Sequence, residues 1–224
     1  MKKLSLFWAP VLLVLLLFSG CLEYTQDGEI NRDGSGEMKI RYSFSGPDMQ
    51  KRELAGQYDT LNIRREHTNE AYTFKKISSG FDEKGNWFAE IEIAFKNVND
   101  LSKAKMFNRF EFNFTDGAAG QYKFTQYIRP PSDLNKGGSG FDETFYYRFD
   151  GEVVSHNAQK VEGDTYIWHF ALNEIGDGKY IEATFAPAPP FNYFYLIAGC
   201  VVVVIAAVWV LIKRKMKKES TAEI

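Results

Sequence analysis

Between residues 22 and 190 the chain alternates apolar and polar positions with a period of two. Met38, Ile40, Tyr42 and Phe44 alternate with Lys39, Arg41 and Ser43. Trp87, Ala89, Ile91, Ile93 and Phe95 alternate with a set that includes Glu90 and Glu92. The pattern returns at Phe110, Phe112 and Phe114, at Tyr122 and Phe124, at Phe145, Tyr147 and Phe149, at Tyr166, Trp168 and Phe170, and at Ile181, Ala183 and Phe185. Successive side chains of a strand point to opposite faces, so each run predicts a strand with one buried and one wet face. That is the habit of antiparallel sheets. Turn residues fall between the runs: Asp33-Gly34-Ser35-Gly36, Lys84-Gly85-Asn86, Asp116-Gly117, Asp150-Gly151 and Gly176-Asp177-Gly178. Residues 47–54 predict a short helix with Pro47 at its first turn, and residues 99–106 a second opened by Asn99 as N-cap. The expectation is an α+β domain, mainly antiparallel sheet with two short helices.

The two ends of the chain follow another pattern. Lys2 and Lys3 precede an apolar run from Leu4 to Phe18, and then Ser19, Gly20 and Cys21. A basic start, a short apolar stretch and small residues before a cut predict a secretory signal peptide over 1–20. Phe18-Ser19-Gly20-Cys21 resembles a bacterial lipobox, with Phe18 where Leu is usual; the resemblance implies that Cys21 is acylated and becomes the mature N-terminus. An uncleaved signal anchor is the alternative. Residues 193–212 run 20 positions without a charge, roughly 30 Å of helix, the thickness of a bilayer core. Phe191, Tyr193, Phe194 and Tyr195 predict an interfacial aromatic belt at one end, and Trp209 marks the other. Lys213, Arg214, Lys215, Lys217 and Lys218 follow at once and predict a cytoplasmic tail. The expected organisation is therefore signal peptide 1–20, extracytoplasmic domain 21–190, transmembrane helix 191–212 and basic tail 213–224. Both ends of the domain would be held against one cytoplasmic membrane.

Charge narrows the partners. Residues 22–190 carry 20 basic and 27 acidic residues, a formal net charge of −7, so nucleic acid is not an expected ligand. Cys21 and Cys200 are the two cysteines, which leaves the domain between them without a disulfide or thiolate ligands. The basic tail suits anionic lipid headgroups or serves as a topology signal alone. Aromatic residues make up 16% of the chain, and most lie on the alternating faces. They either pack a core or line a cavity for an apolar ligand, and the pattern alone does not separate the two. Residues 129–140, Pro-rich and then Gly-rich, read as a long surface loop, and Ala186-Pro187-Ala188-Pro189-Pro190 as a stiff spacer.

Catalytic and metal motifs are absent from the sequence. His67, His156 and His169 have no metal spacing to one another or to cysteine. There is no nucleophile elbow, Walker loop or dinucleotide fingerprint. Glu90 and Glu92 share a strand face and read as solvated carboxylates rather than an acid/base pair. His169 is expected on the wetter face opposite Trp168.

A lipobox cysteine, Asp-Gly-Ser-Gly at 33–36 leading into a strand, Trp168 in a late strand, Ala-Thr-Phe at 183–185, then one span and a basic tail together resemble the LppM-type bacterial lipoproteins. The resemblance implies a curved sheet, binding of polar lipids or glycolipids, and no catalysis or cofactor. The resulting expectation is a non-enzymatic envelope lipoprotein whose partners are membrane lipids. The alternative is an interaction protein docking an envelope partner through a sheet edge or the 129–140 loop.

Overall fold

The computed structural model describes residues 21–118, 120–130 and 141–187. Eleven strands form among them: β1 (Cys21–Ile30), β2 (Gly36–Ser45), β3 (Tyr72–Phe81), β4 (Trp87–Phe95), β5 (Phe110–Asp116), β6 (Tyr122–Ile128), β7 (Phe141–Phe149), β8 (Glu152–His156), β9 (Lys160–Glu162), β10 (Thr165–Ala171) and β11 (Lys179–Ala186). All seven predicted runs are strands. They build two sheets rather than one curved sheet: a seven-stranded sheet of order β3-β4-β2-β1-β7-β10-β9 and a four-stranded sheet of order β5-β6-β11-β8. Every pairing is antiparallel except β1 with β7, where Leu22 faces Phe141 and Ile30 faces Phe149. The chain reaches β7 only after the β5–β6 hairpin of the other sheet. A parallel pair needs such a crossover.

The core lies between the sheets. Phe110 stacks on Tyr24 with ring centroids 5.5 Å apart, Phe124 meets Tyr147 at 4.9 Å and Phe149 meets Phe185 at 5.0 Å. Trp87, Trp168, Tyr147, Phe107, Phe124, Phe145 and Phe185 are fully buried. Much of the aromatic content is therefore packed core.

Among the described residues there are four short α-helices rather than two: α1 (Asp48–Gln57), α2 (Thr60–His67), α3 (Val98–Leu101) and α4 (Leu172–Ile175), with a 3₁₀ turn over Lys105–Phe107. α1 corresponds to the predicted 47–54. The predicted helix at 99–106 stops after one turn because its polar side chains bond elsewhere. Asn99 donates to the Phe114 carbonyl and accepts from the Phe114 amide, and Ser102 does the same for Phe112. These side chains complete the edge of β5, where no strand pairs. α2 begins at Asp59, whose carboxylate accepts from the amides of Leu61 and Asn62, both at 2.8 Å.

β1 sets the long direction of the domain. Cys21 pairs with Ser45 at one end. At the other, the Ile30 carbonyl accepts from the Asp150 amide at 3.0 Å, and Ala186 pairs with Glu152 beside it. Cys21 and Ala186 thus stand at opposite poles. Among the described residues no helix is long and apolar enough to cross a membrane. The predicted span and tail at 191–224, the signal peptide, and most of the 129–140 loop lie outside the described residues.

Candidate ligand-binding cavity

At the Cys21 pole the inner face of the large sheet presents Leu22, Tyr42, Trp87, Ala89 and Ile91. These positions follow from register: Leu22 sits opposite Phe44, and Phe44 opposite Trp87. The four-stranded sheet does not cover this area. Instead Leu54 and Tyr58 of the α1 region and Ile63 and His67 of α2 lie over it, and Met106 and Asn108 close another side. The partly open space between them is about 370 Å³. That falls in the lower part of the range for small-molecule sites, roughly 300–1,000 Å³.

The walls are mainly apolar, with a few polar groups at defined places. Lys105 Nζ reaches Glu66 at 3.4 Å, and both line the cavity. Burial, and then the charge of Lys105, hold the His67 imidazole below its ordinary pKa. Burial pushes the Tyr42 phenol well above its own. Trp87 is 2% exposed, and its indole Nε1 has no hydrogen-bond partner among the described residues. His67 Nδ1 is buried and unpartnered in the same way. An unsatisfied buried polar group costs about 1–3 kcal/mol. Trp87 and His67 both belong to the residues that line the cavity.

Beside the cavity runs a buried polar layer. Tyr24 Oη donates to Gln26 Oε1 at 2.7 Å, Gln26 Nε2 to Tyr147 Oη at 2.5 Å, and Tyr147 Oη to Gln126 Oε1 at 2.6 Å. Gln26, Gln126 and Glu143 are fully buried. Arg109, which follows Asn108 of the cavity wall, pairs with Glu143. None of these polar residues is signalled as polar interior by the apolar alternation. Their phase is the available clue: Gln126 keeps step with Phe124 and Ile128, and Glu143 with Phe145 and Tyr147.

Of the predicted site residues, Cys21 opens β1 and is partly exposed. Burial, with Glu23 and Asp142 nearby, raises its thiol pKa. Phe191, Tyr193, Phe194, Tyr195, Trp209, Lys213, Arg214, Lys215, Lys217 and Lys218 lie outside the described residues. Glu90 departs from the solvated carboxylate expected of it. Its side chain is 11% exposed and bridges Lys39 at 3.0 Å and Arg41 at 3.2 Å. Burial alone would raise its pKa, but the hydrogen bonds and charges of Lys39 and Arg41 outweigh it, and the carboxyl titrates below its ordinary value. Glu92 lies 3.9 Å from Lys76 in the same network. His169 is exposed beside buried Trp168, as expected. Among the described residues, no three His, Cys, Asp or Glu side chains are grouped to hold a metal ion.

The structure is similar to the NMR structure of the folded domain of LppM from Mycobacterium tuberculosis, at 14% identity and a TM-score of 0.46, over 77% of this chain and 94% of that one. No family model matches the chain, and no curated protein matches it. At that distance the likeness assigns no family, ligand or residue role.

Proposed function

We propose that the chain is a membrane-anchored envelope lipoprotein, acylated at Cys21, that holds an apolar chain of a lipid or glycolipid without chemically changing it. The observation that carries this reading is the apolar cavity of about 370 Å³ with the Lys105–Glu66 pair in its wall. Burial of one methylene contributes about 0.8 kcal/mol, so eight would give roughly 6 kcal/mol. The Lys105–Glu66 pair would engage the polar end. The signal-peptide pattern and the charge-free run at 193–212 support an extracytoplasmic domain on the cytoplasmic membrane.

The test is binding by the delipidated full chain in amphipol, titrated with an anthroyloxy fatty acid and read by energy transfer from tryptophan. Ala89, 1% exposed in the cavity wall, is the place to fill it. Ala89→Phe should weaken binding at least tenfold while near-UV circular dichroism stays unchanged. Leu54→Trp fills the same space from the helical side and should act alike. Unchanged affinity in both variants would remove the cavity as the binding site.

A further inference from the structure

We infer that the surface of α1 and α2 at the Cys21 pole is a membrane-contact surface, made to rest on anionic lipid. Single exposed apolar residues are ordinary on a soluble domain. Here they gather. Of seven large apolar residues that are exposed among those described, Met49 (76%), Leu61 (77%), Phe81 (52%) and Tyr58 (43%) belong to this pole. Phe81 ends β3 opposite Trp87, and the Tyr58 ring lies 5.9 Å from that of Trp87. Met49 lies in the first turn of α1, which starts three residues beyond Ser45, the partner of Cys21. Leu61 lies in the first turn of α2.

The charges around them are not balanced in the way their number suggests. Residues 48–67 hold four acidic and four basic side chains. The carboxylates are engaged locally: Asp48 with Lys51, Asp59 as the cap of α2, Glu66 with Lys105 and Glu53 with Gln57. Arg52, Arg64 and Arg65 pair with no carboxylate among the described residues; Arg64 lies over the Phe74 ring and Arg65 donates to the amide of Asn62. Three guanidinium groups without a carboxylate partner, set among apolar side chains, are the composition of an interfacial surface. It occurs on a domain whose net charge is negative.

The chain itself says what this pole faces. Twenty residues precede Cys21, and they include the apolar run from Leu4 to Phe18. On the anchoring proposed above, on which this inference rests, the attachment to the bilayer is made here, whether that run is kept as an anchor or exchanged for a lipid on Cys21. The surface beside it therefore meets lipid first. This inference is independent of what the cavity holds.

The experiment places a bimane label at Met49→Cys, Leu61→Cys or, as a reference, Val161→Cys on β9. Each is made in the full chain carrying Cys200→Ala, and the signal of the chain with Cys21 alone is subtracted. The protein is reconstituted in phosphatidylcholine vesicles containing a minority of phosphatidylglycerol and bromines on the acyl chains. Quenching at positions 49 and 61 should exceed that at 161 severalfold. Arg52→Glu with Arg65→Glu should bring it down at least twofold, with unchanged circular dichroism. Quenching at 49 and 61 no greater than at 161 would overturn the inference. Full quenching retained in the double arginine variant, or in vesicles of phosphatidylcholine alone, would overturn its anionic part.

Discussion

The Arg109 guanidinium donates to Glu143 Oε1 at 2.5 Å, while Glu143 Oε2, buried beside it, has no partner among the described residues. Burial pushes this carboxyl above its ordinary pKa, and the charge and hydrogen bond of Arg109 offset only part of the effect. The sign for stability follows. As pH rises from the ordinary glutamate value, about 4.3, the unfolded chain gives up a proton that the fold retains. Stability therefore falls until pH passes the raised pKa of the folded state. Glu143→Gln should remove that slope, as measured by urea unfolding of the full chain in nanodiscs across mildly acid pH. Arg109→Met leaves the carboxylate alone and should cost about 3–5 kcal/mol near neutrality. Its cost should shrink toward acid pH.

The Tyr147 hydroxyl links the two sheets, accepting from Gln26 of β1 and donating to Gln126 of β6. Tyr147→Phe leaves both amides short of a partner and should destabilise by about 1–3 kcal/mol. Adding Gln26→Leu and Gln126→Leu, with Tyr24→Phe because Tyr24 would otherwise lose its acceptor on Gln26, removes the stranded groups as well. The quadruple variant should recover most of the loss in unfolding midpoint. If Tyr147→Phe alone unfolds with the unsubstituted chain, the relay contributes nothing to stability.

β1 shows why part of this fold is hidden in the sequence. Its inward positions are Tyr24, Gln26, Gly28 and Ile30. Two of the four carry no apolar side chain, so no alternation is visible. Both exceptions have a tertiary cause, the relay at Gln26 and the Tyr147 ring over Gly28, and no local pattern reports either. β3 is obscured by a register shift between Phe74 and Lys76, which puts Ile77 out of step with Tyr72 and Phe74. β9 is three exposed residues long. In the sequence the cavity is only one of two fates open to the aromatic faces. Its walls come from β1, β2, β4, α1, α2 and the segment after α3, and only pairing register brings them together. α2 had a readable start in Asp59, without a strong apolar stripe to draw attention to it.

Gly28 gives a sharper check on the same strand. A Cβ there would lie 2.4 Å from Tyr147 Cε1, inside contact distance, and that ring is fully buried. Gly28→Ala must displace Tyr147 or β1, at a cost of about 1–3 kcal/mol for an overpacked core. Because Tyr147 also holds the relay, Gly28→Ala and Tyr147→Phe should not be additive. A double-mutant cycle with an interaction energy of at least about 0.5 kcal/mol is expected.

The separation of Cys21 from Ala186 bears on how the domain would stand on a membrane under the proposed anchoring. Nine residue steps from Cys21 to Ile30 span ~30 Å of strand. From Pro187 to Tyr193, where the apolar run begins, there are six steps, which reach at most ~20 Å. With a lipid at Cys21 and a span from Tyr193 in one bilayer, an upright β1 would carry Pro187 beyond that reach. The domain must then lie over, with β1 inclined to the membrane plane by no more than about 40° on these lengths. Energy transfer to rhodamine-labelled lipid measures this in the full chain, from a dye at Ser45 near one pole and a dye at Asp150 near the other. The two heights should differ by less than ~20 Å. A difference near ~30 Å would mean an upright domain. One of the two attachments, the acyl group on Cys21 or the span at 193–212, would then have to be given up.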